Sequence, residues 1–309
     1  MVAPIAIFAF NRPDLLRRTL TALAANPFAA DSPLTVFCDG PRHERDEPGT
    51  RAVRELARAA RGFLSVEVVE RPTNMGCAAS VIDGLTRMFS LHERLIVMED
   101  DILTSPHTLR FLNEGLARYA GNEKIFNISA WSPPHVARAV PADYPFDVYA
   151  VPRFNCWGWS SWRDRFIDID WDVSDYETFK RSPQLRTAFN AGGEDLSPML
   201  DEQMQGKIDT WAIRVDYARF KKHMVGINPL HSYTLNIGMG SGTHTTTKST
   251  YWDSDISLAP ATVSFPDAID VDERIRKVYH DCYYGEKRPL PQRILHRLGR
   301  LLRQRSLLA

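Results

Sequence analysis

Through the first 130 residues, short apolar runs alternate with longer stretches whose apolar residues recur at helical spacing. The runs Ile5–Phe10, Leu34–Cys38, Val66–Val69, Leu95–Met98 and Ile125–Ile128 have the length and side chains of buried strands. Between the first two, Leu15, Leu16, Thr19, Leu20 and Leu23 keep a helical period behind Pro13, whose fixed φ suits a first helical turn. Ala78, Val81, Ile82, Leu85 and Phe89 do the same after Gly76, and Ser105-Pro106 opens a third helix carrying Leu109, Leu112 and Leu116. Strand and helix in alternation predict βαβ units and a largely parallel sheet. From about Ser132 the pattern breaks into Pro-, Trp- and Tyr-rich stretches with short elements.

Composition narrows this picture. A chain of 309 residues, 44% hydrophobic and 10% aromatic, buries a core sufficient for one large domain or two small ones. The 38 basic residues balance 38 acidic ones, so no overall field draws in nucleic acid or an anionic surface. Cys38, Cys77, Cys156 and Cys282 form no C-x-x-C pair, which argues against a zinc ribbon or a disulfide framework and suits a reducing cytoplasm. The apolar run Val2 to Phe10 is too short to span a bilayer and lacks the flanks of a signal peptide. From Arg288 onward six arginines occur without one acidic residue.

The candidate chemistry sits where strands end. Leu95-Ile96-Val97-Met98 runs into three carboxylates, Glu99, Asp100 and Asp101. Ligands of parallel α/β sheets gather outside the carboxyl ends of strands, and hard oxygen ligands suit Mg²⁺ or Mn²⁺. An acidic triplet at a solvated turn would look similar. Three further strand exits carry polar groups: Phe10-Asn11-Arg12-Pro13, Cys38-Asp39-Gly40-Pro41, and Arg71 to Gly76 with Asn74 before a helix. Each alone reads as turn chemistry, but four in succession do not.

Taken together, these four segments resemble the GT-A glycosyltransferases, especially the N-acetylglucosaminyltransferase-I-like branch and bacterial polysaccharide, family 2-like members. The resemblance implies an α/β fold of GT-A (nucleotide-diphospho-sugar transferase) type, a Rossmann-like central sheet with helices on both faces. It implies that Phe10, Asn11, Arg12 and Asp39 contact the nucleotide, that Arg71 and Asn74 help at the donor, and that Asp101 is the leading metal ligand. Asp100 belongs to the same acidic step, and Glu99 faces the sugar or stands behind the ligands. In the second half, Trp157-Gly158-Trp159 looks like a stretch of bacterial members, Asp209-Thr210-Trp211 like the acid-plus-Trp segment carrying a catalytic base, and Ser232 to Gly238 with Gly240 to Thr245 like a loop closing on the diphosphate. The similarity extends from about Ile5 to Thr245. The seven tryptophans, all between Trp131 and Trp252, pack a core of irregular loops or form a wall against a pyranose.

The function this implies is metal-dependent transfer, with Mn²⁺ or Mg²⁺, of a sugar from a nucleotide-diphosphate donor, UDP-linked by preference, to a hydroxyl of a glycan or lipid-linked acceptor in surface polysaccharide synthesis. Inversion needs a base, and Asp209 is the first candidate, against its alternative as a helix N-cap. Glu194 and Asp195 after Gly192-Gly193 are the rival pair, and a retaining reaction needs none. His244 in the glycine-rich stretch contacts the diphosphate or the metal, with His231 as substitute. Two other classes stay open, a nucleotidyltransferase and a non-catalytic nucleotide- or carbohydrate-binding module. Residues 1–285 are read as the catalytic domain, with 1–130 holding the nucleotide sugar and 131–285 the acceptor and lid. Residues 286–309 form a basic amphipathic helix that docks on the inner face of the plasma membrane, packs on the domain or joins a second subunit.

Overall fold

The computed structural model describes residues 2–239 and 251–284. Its strands are β1 (Ile5–Ala9), β2 (Pro33–Cys38), β3 (Ser65–Glu70), β4 (Arg94–Glu99), β5 (Ile102–Thr104), β6 (Ile125–Ser129), β7 (Val148–Val151), β8 (Trp159–Trp162), β9 (Val225–Pro229) and β10 (Thr234–Asn236). The helices are α1 (Pro13–Ala24), α2 (Glu47–Ala59), α3 (Cys77–Leu91), α4 (Thr108–Arg118), α5 (Pro134–Ala139), α6 (Arg163–Phe166), α7 (Tyr176–Arg181), α8 (Pro183–Phe189), α9 (Leu196–Met204), α10 (Ala212–Lys221) and α11 (Glu273–Tyr284).

Eight strands form one sheet in the order β3-β2-β1-β4-β8-β6-β9-β7, and β5 pairs with β10 in a separate ribbon. The first four are parallel, with Ile7 beside Val36 on one side and Met98 on the other. The largely parallel expectation holds there and is modified beyond it, because β8 runs antiparallel to both β4 and β6, and β7 antiparallel to β9. β8 enters through Gly158, whose φ of 83° and close neighbours Thr234 Cγ2 and Met98 Sδ exclude a side chain. Strands from both sides of residue 130 therefore share one sheet.

Alternation along β1 divides the core. Ile5, Ile7 and Ala9 pack with Leu16, Leu20 and Leu23 of α1, Val53 and Ala57 of α2, and Leu109, Leu112 and Leu116 of α4. Ala6 and Phe8 face the other way, onto Ala78, Val81, Leu85 and Phe89 of α3 and Val215 of α10. Helices thus cover both faces, as a parallel sheet requires. A fully buried leucine contributes roughly 1.5–3 kcal/mol, so the leucines of α1 and α4 are a main apolar contribution to holding those helices on the sheet.

The periodicity of large apolar residues names no helix over 47–59. The buried face of α2 consists of Thr50, Val53 and Ala57, small side chains among the arginines Arg51, Arg54 and Arg58. The third expected helix starts at Thr108, because Ser105 and Pro106 form the turn before it, with Ser105 O accepting from the Thr108 amide. Among the tryptophans, Trp131, Trp159, Trp162, Trp211 and Trp252 are buried, and Trp159 stacks on Phe166 at 5.1 Å. They are core residues and do not form an open wall. All four cysteines are free thiols. Among the described residues no helix is long and apolar enough to cross a membrane.

Candidate functional site

β1 hydrogen-bonds to β2 on one side and β4 on the other, so the chain leaves the β1 and β4 ends toward different edges of the sheet. Such a divergence opens a crevice at the carboxyl ends. A cavity of about 320 Å³ lies there, lined by Phe8 to Arg12, Asp39, Arg42, Arg45, Asp46, Asn74, Cys77, Ser80, Val81, Glu99 and Asp100. The four strand exits singled out in the sequence meet in it.

The acidic step at the end of β4 is the electrostatic centre. Arg12 reaches from the β1–α1 turn, pairing its Nη2 with Asp100 Oδ1 and its Nη1 with Asp101 Oδ2 at 2.9 Å. Burial pushes the Glu99 carboxyl up to about 8, with Asp101 and Asp100 adding to the shift. Asp100 rises to about 6 through burial, opposed by Arg12. Burial works against the charge on Arg12, and the two aspartates more than offset it, so that its pKa rises. Asp101 is 7% exposed, and its Oδ1 is buried without a hydrogen-bond partner.

The segment expected to close on the diphosphate comes alongside this step. β10 pairs with β5, the Ile237 amide donates to Asp101 O at 2.8 Å, and Gly238 lies so close that a Cβ there would overlap the Asp101 carboxylate. His244 falls outside the described residues, as does the tail from 286. His231 is exposed on the turn before β10.

Asp39 lines the cavity and is also tied into the chain around it. Its carboxylate accepts from the amides of Gly40 and Met75 at 2.9 Å, from Gly76 at 3.2 Å and from Asn74 Nδ2 at 2.9 Å. These four donors hold the loop after β3 against the end of β2. Gly40 permits that approach, since a Cβ would overlap the Thr73 backbone. Arg71 pairs with Asp83, lies over the Phe37 ring at 5.7 Å and is not among the residues lining the cavity. Phe10 lines the cavity with Arg42 over its ring at 5.8 Å, while Asn11 Nδ2 donates to Asp46 at 2.8 Å. Trp157 packs edge-on to Trp131 at 4.6 Å, and neither it nor Gly158 lines the cavity.

Asp209 is not the cap of its own helix, whose N-cap position is Trp211. It is exposed and accepts from the Ala78 amide at 3.5 Å in the first turn of α3, beside Cys77. The Cys77 thiol rises to about 12, through burial first and then the charges of Glu99, Asp209 and Asp100, which places Asp209 within electrostatic reach of the cavity. Glu194 and Asp195 are elsewhere. Asp195 makes a two-pronged pair with Arg153 at 2.8 Å, and Glu194 contacts Asn190 and His280 on a more open hollow of about 560 Å³ with Arg276. Sequence reasoning missed Arg42, Arg45, Asp46, Cys77 and Ser80 as lining residues. The charged run from Arg42 to Asp46 directly behind a strand exit was the available signal.

No protein-family model matches the chain. Among solved structures it is similar to a mannosyltransferase, PcManGT from Pyrobaculum calidifontis in complex with GDP-Man and Mn²⁺, at 13% identity over 72% of this chain and 70% of that chain, with a TM-score of 0.40. It is similar to S. aureus TarS at 13% identity over 54% of this chain and 30% of that one, TM-score 0.36. It is also similar to mouse xyloside xylosyltransferase 1 in its apo form, at 11% identity over 72% and 83% of the two chains, TM-score 0.36.

Among the described residues no three His, Cys, Asp or Glu side chains come together as a ligand set. The buried, unpartnered Oδ1 of Asp101 nevertheless fits a divalent cation, because Mg²⁺ is commonly held by one or two carboxylates together with substrate phosphates and water.

Proposed function

We propose that the protein is a glycosyltransferase that binds a nucleotide-diphosphate sugar in the crevice between β1 and β4. One observation carries the reading: at this strand divergence Glu99 and Asp100 line a cavity together with basic and aromatic side chains from two other strand exits, and Asp101 directly behind them keeps an unsatisfied buried oxygen. Phe10 and Arg42 offer an apolar face and a cation to a nucleobase, and Arg12, at the start of α1, offers donors to phosphate. Asp101 would hold Mn²⁺ or Mg²⁺, which supplies charge neutralisation for the departing diphosphate. Glu99 would face the sugar or stand behind the metal ligand. Asp209, exposed at the rim, takes the acceptor proton in an inverting transfer.

UDP as the nucleotide, a hexosyl or N-acetylhexosaminyl group, and a glycan or lipid-linked acceptor are the finer parts of this proposal. Residues 1–130 supply the whole of the cavity lining, and 131–285 the Asp209 carboxylate and the β10 segment beside the acidic step. The basic tail would bring the enzyme to a membrane-bound acceptor or to a second subunit. Co-sedimentation with anionic vesicles, lost on deleting residues 288–309, supports the membrane role, and a tail-dependent dimer without vesicle binding supports the other.

The deciding experiment is turnover and hydrolysis over a panel of nucleotide sugars with and without Mn²⁺. Release of nucleoside diphosphate from one donor, raised by Mn²⁺, is the expected result. Release of pyrophosphate from a nucleoside triphosphate and a sugar phosphate would make it a nucleotidyltransferase, and binding without turnover a non-catalytic module.

A further inference from the structure

The end of β4 brings together more negative charge than one side chain balances. Glu99, Asp100 and Asp101 are consecutive, and the cation acting on both Glu99 and Asp100 is Arg12. Its guanidinium is shared between two carboxylates: Nη2 and Nε face Asp100, the latter at 3.4 Å, and Nη1 meets Asp101 Oδ2 at 2.9 Å. Arginine's planar fork suits such bridging, which a lysine's point charge cannot copy. Removing it would leave buried carboxylates repelling one another, a costly arrangement at low local dielectric. The unpartnered Oδ1 of Asp101 shows that the bridge does not satisfy the site.

We propose that Arg12 is a resident counter-cation, occupying the acidic step in the free protein and releasing Asp101 when a divalent cation binds. This rests on reading the crevice as a metal-assisted donor site. A divalent ion on Asp101 and Nη1 on the same carboxylate repel each other, so the two compete. The Arg12 side chain is one-quarter exposed, springs from the turn into α1 and already lines the cavity, which leaves it room to swing off Asp101 there. There it meets the phosphates of an incoming nucleotide at the helix N-terminus. Cation and nucleotide consequently assist each other's binding, and by linkage the assistance is reciprocal.

Calorimetry with Mn²⁺ alone tests this without turnover. Arg12→Met is expected to bind Mn²⁺ about tenfold more tightly than the wild type, since no internal cation has to be displaced. Its metal-free melting temperature falls, and Mn²⁺ raises it by more than in the wild type. Arg12→Lys, which keeps a charge and protects the fold, shows a smaller gain in the same direction. Unchanged or weaker Mn²⁺ affinity in both variants overturns the inference. Asp101→Asn separates the two levels. If it loses Mn²⁺ binding while the Arg12 variants gain nothing, only the counter-cation role falls. If it binds Mn²⁺ like the wild type, the metal-assisted reading falls, and the inference with it.

Discussion

Asp209 Oδ2 stands 3.5 Å from the backbone nitrogen of Ala78, which sets a carboxylate from the turn before α10 against the first turn of α3. The two residues are 131 positions apart in sequence. The N-terminus of α3 carries partial positive charge and faces this carboxylate. Asp209→Asn is expected to lower kcat by about 10²–10⁴-fold with donor affinity retained, because a general base acts on the acceptor. Kinetics with calorimetry on the same preparation checks it; lost donor affinity at unchanged kcat refutes the assignment.

Asp195→Asn should behave differently. The Arg153 pair is nearly buried, with side chains 10% and 13% exposed, and Arg153 also lies 3.6 Å from the centre of the Tyr283 ring. Breaking such a pair costs about 3 kcal/mol, seen as a lower midpoint in denaturant. Folded Asp195→Asn retains turnover. A large fall in kcat with unchanged stability would return the base to the Glu194–Asp195 step.

Gly238→Ala tests the closeness of β10 to the acidic step. The added methyl overlaps the Asp101 carboxylate, so backbone or side chain must shift, at about 1–3 kcal/mol. Weaker Mn²⁺ binding and lower turnover are expected together. A variant with wild-type Mn²⁺ affinity would show that the two positions are not coupled.

Arg42→Ala combined with Arg45→Ala probes the basic rim. Both are exposed, so each contact to a nucleotide contributes at most about 1 kcal/mol and the pair about tenfold in affinity at low salt. The loss shrinks as salt is raised, because exposed charges are screened. Nucleotide titration at two ionic strengths measures both, and an unchanged affinity at low salt places the nucleotide away from this rim.

What was legible in the sequence depended on local repetition. The five apolar runs became β1, β2, β3, β4 and β6, because a short apolar run needs only its own residues to declare itself, although β3, at the sheet edge, is only partly covered. Pro13 and Gly76 marked the starts of α1 and α3 for backbone reasons that are equally local. α2 escaped because its buried face is Thr50, Val53 and Ala57, which carry too little apolar surface to show a period.

By itself, then, the sequence determined the α/β class, the position of the acidic step at a strand end and the convergence of polar groups at four such ends. Only the tertiary structure decided which of those groups remain available. Asp39 accepts from four chain donors, Arg71 pairs with Asp83 and Asp195 with Arg153, whereas Asp101 keeps an unpartnered oxygen and Asp209 crosses to another helix. A residue's type states how many hydrogen bonds and charges it can satisfy, but the partners that use them come from distant segments, and their placement is a property of the packed chain.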